Sequence, residues 1–264
     1  MQAKPRHISG LNFAPGGDFE ALAPGLSSRA KWQRYDSPFR HVLASGVFTD
    51  TAYARIESAY QDLLGKATSR NRDYDAHILR IDEAAAEKIA PLLSLPFLSL
   101  VQRSLELDAE AKLDAAIHYH PGGSRAGWSH NDFNPGRFPR EAVQDRIFSN
   151  ASNVEYRVRA GEPQSGNGLI YMRKIAAIFY VANPDWSPDH GGETGLYWNG
   201  GAGARLVKRI PPVNNSLLLF ECSPHSFHGF LGTSRPRGSI VFWLHVPLED
   251  AMSRWPGAQP VCWP

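Results

Sequence analysis

The sequence predicts a mainly β fold with flanking α-helices, arranged as a sandwich or jelly roll. Beyond residue 112, short β-like runs alternate with turn residues, and no helical segment lies between them. The 23 Gly, 20 Pro and 11% aromatic residues also suit short strands joined by many turns. A chain of 264 residues can bury one sizeable core, so we expect a single domain.

Apolar runs in the second half of the chain predict seven strands. They cover residues 113–120, 154–159, 173–182, 194–198, 205–210, 216–222 and 239–246. The first half contains helical spacing instead, and Asp50 or Thr51 is placed to cap its first helix. Helices are expected over about 51–65, from Asp82 to a bend or end at Pro91, and over about 97–107.

Residues 1 to about 40 contain Gly, Pro, Ser and Arg with scattered apolar residues, which indicates an irregular arm on the body. The expected domain therefore consists of an arm with supporting helices (1–110), a jelly-roll core (111–250) and a C-terminal tail (251–264).

Composition narrows the classes of function. The 28 basic and 26 acidic residues leave a formal charge of +2, so nucleic acid and membrane are not expected partners. No apolar run resembles a secretory signal or a bilayer span, which favours a cytoplasmic protein. The two cysteines, Cys222 and Cys262, are expected to be free thiols, which leaves neither a disulfide scaffold nor a thiolate zinc site.

The segment that indicates chemistry runs from Gly127 to Asp132 and contains a His-x-Asp triplet. On an extended chain His130 and Asp132 project to the same side, so both can reach one metal ion. His228, just beyond the apolar run 216–222, can supply a third ligand. Two His and one carboxylate on one face of an octahedron leave three positions open for a cosubstrate and O₂.

A carboxylate clamp is predicted on the strand that follows. Arg237 and Ser239 share one strand face. A planar guanidinium binds a carboxylate through two parallel hydrogen bonds, and a nearby hydroxyl can add a third.

The order of these motifs, with Gly-Gly-Glu-Thr-Gly at 191–195 between them, resembles the Fe(II)/2-oxoglutarate dioxygenase superfamily, in particular its prolyl-4-hydroxylase-like branch. The resemblance covers about 113–247. It implies a double-stranded β-helix (jelly-roll, cupin-like) core, with Fe(II), 2-oxoglutarate and O₂ as cofactor and cosubstrates. It also implies roles for specific residues: iron on His130, Asp132 and His228, and the distal carboxylate of 2-oxoglutarate on Arg237 and Ser239.

His120 stands where such enzymes usually carry Tyr. The resemblance makes His120 a candidate contact of 2-oxoglutarate and leaves the second partner of that cosubstrate open.

The expected reaction is hydroxylation of an unactivated C–H bond in a small polar metabolite, with release of succinate and CO₂. The motifs are similar to those of stand-alone natural-product hydroxylases and halogenases, which act on free amino acids and nucleotides. Halogenases replace the carboxylate ligand with a small residue, and Asp132 is present here, so hydroxylation or desaturation is favoured. The residues expected to contact substrate are Trp128, Asn131, Asn134, Arg137 and Glu193.

Three other functions stay open from the sequence: a cupin-type metal-dependent isomerase or hydrolase, a non-catalytic jelly-roll binding protein, and an oxygenase acting on protein or nucleic acid. The Arg237 clamp argues against the first. His225 competes with His228 for the third ligand position.

Several other residues are assigned structural roles. A packed or hydrogen-bonded core role, rather than a metal-ligand role, is expected for His118 and His120. A core role is also expected for Trp198 and Trp243, and a charge at the sheet edge for Arg173.

Overall fold

The structure is a computed structural model that describes residues 6–7, 23, 25–66, 69–71, 75–107, 112–139, 154–156 and 168–261. Its helices are α1 (Asp50–Leu64), α2 (Glu83–Lys88), α3 (Ala90–Leu93), α4 (Leu95–Ser104) and α5 (Leu248–Arg254). Among these residues, no helix combines the length and the apolar character needed to cross a membrane.

The predicted helices are present, with shifted ends. Thr49, rather than Asp50 or Thr51, caps α1, because its hydroxyl accepts a hydrogen bond from the Ala52 N–H at 3.3 Å. The second predicted helix is interrupted at Ile89, before Pro91. The proline lies in the first turn of α3, where a missing N–H breaks no helical hydrogen bond.

Thirteen strands are described. They are β1 (Arg6–His7), β2 (Lys31–Tyr35), β3 (His41–Ser45), β4 (Ser69–Asn71), β5 (Ala76–Arg80), β6 (Lys112–His120), β7 (Pro135–Pro139), β8 (Gly168–Tyr180), β9 (Thr194–Tyr197), β10 (Leu206–Ile210), β11 (Ser216–Glu221), β12 (His228–Phe230) and β13 (Arg237–Pro247). A ten-stranded sheet has the order β1-β2-β3-β11-β8-β13-β6-β5-β4, with β7 also paired to β8. The small sheet has the order β10-β9-β12.

One prediction about the strands is wrong, and another can be compared with the structure only over part of its length. The predicted irregular arm includes β2, whose five residues pair with β3 in the large sheet. Of the predicted strand 154–159, only 154–156 lie among the described residues, and there Glu155 makes an isolated bridge to Arg137. The remaining predicted strands are present, and the mainly β class is confirmed.

The two faces of the large sheet bury different clusters. Along β13, Ile240, Phe242 and Leu244 belong to the core that includes buried residues of α1 and α4. Val241 and Trp243 alternate with them and belong to a second core, which includes Leu196 of β9 and Ile210 of β10 in the small sheet. The space between the two sheets holds the candidate site.

Two buried histidines make stability depend on pH. Burial lowers the pKa of His41 and of His245 to about 4, from 6.5. Between pH 6.5 and 4 the unfolded chain therefore binds protons that the folded chain excludes, so acidification favours unfolding. We expect each histidine to reduce the free energy of unfolding by about 1.4 kcal/mol per pH unit in this range.

Urea denaturation of the metal-free protein at pH 7, 6 and 5 measures this effect. The His41→Gln variant should show a shallower pH dependence than the wild type. Equal urea midpoints for the wild type at the three pH values would contradict the prediction.

Candidate active site

Three predicted metal ligands converge between the two sheets. The ligand atoms of His130, Asp132 and His228 all lie within 4.8 Å of one another. The Nε2 atom of His130 is 4.0 Å from Asp132 Oδ1, and that of His228 is 3.9 Å from Asp132 Oδ2. These separations are compatible with one ion bound by all three side chains.

The backbone joins the two histidines directly. His130 donates its N–H to the His228 carbonyl at 2.9 Å, and His228 donates to the His130 carbonyl at 2.7 Å. Their rings lie 4.4 Å apart, centroid to centroid. His130 and His228, which are remote in sequence, are therefore direct cross-strand neighbours. The His-x-Asp pattern alone could not predict this pairing.

Both imidazoles have the tautomer suited to metal binding. The Nδ1 atoms lie 3.0 Å from the Trp128 carbonyl and 3.1 Å from the Ser226 carbonyl. Because a carbonyl only accepts, each Nδ1 carries the proton and each Nε2 keeps its lone pair. Burial lowers the pKa of His228, and it lowers that of His130 to about 3. The neutral form, which binds metals, is therefore favoured.

Asp132 is held as a buried carboxylate. Burial raises its pKa, but the adjacent Arg173 charge and the two histidines outweigh burial and bring the pKa to about 2. Arg173 Nη1 lies 3.2 Å from one carboxylate oxygen, and the Trp243 indole N–H donates to the other at 2.7 Å. One negative charge is thus fixed beside two neutral imidazoles.

The interpretation of Arg173 as a sheet-edge charge is wrong. It lies on β8, in the middle of the large sheet, and is 7% exposed. Its guanidinium is 4.2 Å from the Trp243 ring centroid and 4.6 Å from that of Tyr156. Trp243 lies in the second core, as predicted, and also bonds to the Asp132 carboxylate. Trp198, by contrast, is 49% exposed, so its predicted core role is wrong.

A second cluster surrounds Arg237 at the start of β13. Its guanidinium donates to Ser239 Oγ at 2.8 Å and to Thr194 Oγ1 at 3.3 Å. The Tyr180 hydroxyl donates to the same Thr194 oxygen at 2.8 Å. Sequence reasoning missed Tyr180 and Thr194, because Tyr180 is brought beside Ser239 by strand pairing and Thr194 approaches Arg237 from the other sheet.

The structure shows why the motif before Thr194 has a glycine at position 192. Its φ of +86° is unfavourable for residues with a Cβ. A Cβ at this position would also lie 3.3 Å from the Arg237 side chain. The glycine therefore allows the loop to approach the arginine.

His120 lies next to this cluster. It is the antiparallel partner of Arg237 in the β6–β13 pair, and its ring stacks on Phe230 at 3.8 Å. His118, two residues before His120 on β6, pairs with Ser239. Both histidines line the same cavity as the metal-ligand candidates.

The cavity has a volume of about 230 Å³ and contacts both clusters. Its apolar wall consists of Ile78, Ala176, Ile178, Phe220, Phe230 and Val241. Within the part of the chain that the structure describes, the charged side chains on its surface are Asp132 and the arginines Arg80, Arg173 and Arg237. The candidate metal ligands and the carboxylate clamp therefore face the same cavity.

Of the predicted substrate contacts, Trp128 lines this cavity, with 41% of its surface exposed and its ring edge-on to His130. Asn131 is buried, and its amide bonds to the Phe133 N–H and the Pro224 carbonyl. Asn131 thus supports the backbone near the triad.

The other substrate candidates point to other parts of the molecule. Asn134 is buried and donates to the Val261 carbonyl at 2.7 Å. Arg137 pairs with Glu155 at 3.4 Å. Glu193 is buried and lies 3.7 Å from an exposed arginine of β10.

Two further predictions concern His225 and the cysteines. His225 is exposed and contacts Trp255 with its ring, whereas His228 lies in the cluster. Cys222 is a buried free thiol, and Cys262 lies outside the described residues.

Comparison with known proteins confirms the predicted resemblance. Residues 163–245 match the 2OG-Fe(II) oxygenase superfamily. A stretch of 78 residues, 28% of this chain, is 38% identical to prolyl 3-hydroxylase OGFOD1 of Xenopus laevis. The match spans only 15% of the length of that protein.

Solved structures confirm the double-stranded β-helix fold. A Pseudomonas putida prolyl-4-hydroxylase superposes with a TM-score of 0.53 at 15% identity, over 78% of this chain and 92% of that one. SnoK, a non-haem carbocyclase from nogalamycin biosynthesis, superposes with a TM-score of 0.51 at 12% identity, over 84% and 88% of the two chains. At these identities the likeness concerns the fold.

Proposed function

We propose that this chain is a 2OG-Fe(II) oxygenase, as the match of residues 163–245 to that superfamily supports, and that it hydroxylates a C–H bond of a small polar metabolite. The superfamily implies Fe(II), 2-oxoglutarate and O₂. The observation that carries the proposal is the convergence of His130, Asp132 and His228 within 4.8 Å, on the same cavity as a buried arginine.

The donor set fits Fe(II). Two neutral imidazoles and one carboxylate form the facial set found in non-haem iron oxygenases. His130, Asp132 and His228 would hold the ion, and Asp132 would supply its one negative protein charge. When bound, Fe(II) with 2-oxoglutarate and O₂ supplies the oxidant for the C–H bond and releases succinate and CO₂.

The protein positions the cosubstrate. We assign the distal carboxylate of 2-oxoglutarate to Arg237, assisted by Ser239 and by the hydroxyl groups of Thr194 and Tyr180. Arg237 is 5% exposed, so its charge acts on a bound carboxylate with little competition from water. The cavity that Arg237 and the triad share also has an apolar wall, which suits the methylene carbons of the cosubstrate.

Hydroxylation is preferred to halogenation, because Asp132 would be a ligand of the metal where halogenases carry a small residue that leaves room for chloride. The rival isomerase, hydrolase and binding functions are less favoured, because they give no reason for a buried carboxylate clamp facing the triad. We also keep as a proposal the domain division 1–110, 111–250 and 251–264, with the change that β1 to β5 of the first segment extend the large sheet.

A second candidate is hydroxylation of prolyl residues in a protein. The observation in its favour is the 38% identity of a 78-residue stretch to a prolyl 3-hydroxylase. In that case proline-containing peptides, rather than free metabolites, would stimulate turnover.

One experiment separates these functions. The protein is incubated with Fe(II), 2-oxoglutarate and O₂ together with amino acids, nucleosides, nucleotides or proline-containing peptides, and succinate is measured. A metabolite that stimulates succinate formation and gains one oxygen atom by mass spectrometry is the expected result. Loss of two hydrogens would indicate desaturation, and no succinate from any mixture would refute the oxygenase function.

Arg237→Ala should raise the 2-oxoglutarate concentration needed for half-maximal succinate formation by about 30-fold or more, because truncating one partner of a buried charge pair costs about 2–5 kcal/mol. Arg237→Lys should show a smaller rise, since it keeps the charge but loses the planar fork. Arg209→Gln, on an exposed strand face, is the control. An unchanged requirement in Arg237→Ala would remove this residue from the site.

A further inference from the structure

We propose that Arg80 determines substrate specificity by binding a carboxylate of the small-molecule substrate. The inference rests on the proposed oxygenase function and deepens it by naming the substrate class. Its basis is that two other arginines of the cavity already bind other groups.

Among the described residues, three arginines line the cavity, and two of them are committed to other groups. Arg173 is bonded to Asp132 and covered by two aromatic rings, with 8% of its side chain exposed. Arg237 is buried among the hydroxyl groups that form the proposed 2-oxoglutarate clamp. Arg80 differs from both, because 38% of its side chain is exposed to solvent. An incoming anion therefore meets Arg80 first.

Contacts with Asp114 and Tyr156 hold the Arg80 guanidinium in place. Its Nη1 donates to Asp114 Oδ2 at 2.6 Å, and Asp114 is fully buried. The guanidinium also lies 5.1 Å from the centroid of the Tyr156 ring, whose hydroxyl bonds to the same Asp114 oxygen. A planar guanidinium fixed at one nitrogen retains further N–H donors for a carboxylate and loses little entropy on binding it.

Strand register separates Arg80 from the proposed 2-oxoglutarate clamp. Arg80 pairs with Ala116 of β6, and Ala116 pairs with Val241 of β13. Val241 is four residues beyond Arg237, roughly 13 Å along the strand. An anion on Arg80 would therefore leave the Arg237 clamp to the cosubstrate.

The charged groups that the structure describes around the cavity leave one positive charge for the substrate. Fe(II) and the 2-oxoglutarate dianion offset each other. Asp132 and Asp114 offset two of the three arginines, Arg80, Arg173 and Arg237. A substrate with a single carboxylate balances the remaining charge in a site partly shielded from water.

The test uses matched pairs of carboxylic acids and primary amides, namely amino acids and N-acetyl amino acids with their carboxamides. Binding to the Fe(II)-loaded protein saturated with 2-oxoglutarate is measured without O₂ by calorimetry. The tightest-binding carboxylate should bind the wild type about tenfold or more tightly than its amide, as expected for charge-assisted hydrogen bonds. This preference should disappear in Arg80→Gln.

Arg125→Gln is the matched control, because Arg125 also pairs with an aspartate, Asp75, but its side chain is 68% exposed and does not line the cavity. It should keep the preference for carboxylates. The proposal is overturned if no carboxylate binds the wild type more tightly than its amide, or if the preference persists in Arg80→Gln. Succinate formation by the same preparations tests the oxygenase function separately, since an active enzyme without the preference refutes only the role of Arg80.

Discussion

Replacing Asp132 with alanine will abolish Fe(II) binding at the triad and, with it, succinate formation. The replacement removes the one anionic ligand candidate among His130, Asp132 and His228. Loss of a group that merely orients a ligand typically costs 10- to 100-fold in metal affinity, so loss of the ligand itself should cost more than about 100-fold. Equilibrium dialysis of Fe(II) without O₂ measures the affinity.

Asp132→Ala also leaves Arg173 buried without its carboxylate, so a folding defect must be separated from a metal defect. Asp132→Asn serves this purpose, because the amide can still accept a hydrogen bond from Arg173 or Trp243. It should fold, as judged by near-UV circular dichroism, and still fail to bind Fe(II). Wild-type turnover in Asp132→Asn would exclude the assignment of Asp132 as a ligand.

Replacing Arg173 with methionine is expected to produce the second large effect. The change leaves the Asp132 charge buried without its closest cation, and breaking such a pair costs about 3–5 kcal/mol of folding free energy. The pKa of Asp132 should rise, because burial is then less opposed. Fe(II) affinity should fall about 10- to 100-fold, as for other groups that orient a metal ligand.

Two measurements on Arg173→Met check these expectations: urea denaturation of the metal-free protein, and Fe(II) dialysis at pH 7. Trp243→Phe is the matched comparison, since it removes one hydrogen bond to the same carboxylate but no charge. It should cost about 1 kcal/mol of folding free energy. If Arg173→Met binds Fe(II) as well as the wild type, Arg173 has no role in positioning Asp132.

Local patterns were sufficient to predict part of the site. His130 with Asp132, and Arg237 with Ser239, are each two residues apart on an extended chain, so the sequence places each pair on one side. His228 required the resemblance to a family, because its pairing with His130 depends on the register of distant segments.

The pairing of distant strands also explains why the sequence did not predict the roles of Arg173, Tyr180 and Thr194. Arg173 lies in an apolar run, and nothing local shows that its strand is central or that Asp132 lies opposite its guanidinium. Tyr180 and Thr194 meet through contacts between the two sheets. In the fold, β2 was missed because its sequence is mostly polar, although Trp32 within it is buried.

The paired backbone hydrogen bonds between His130 and His228 have a consequence for metal choice. Because these bonds join the two backbone segments directly, the peptide chain itself holds the two imidazole donors side by side. Sites made of nitrogen and oxygen donors usually bind Cu²⁺, Ni²⁺ or Zn²⁺ more tightly than Fe²⁺, so correct loading depends on which ion the surroundings supply.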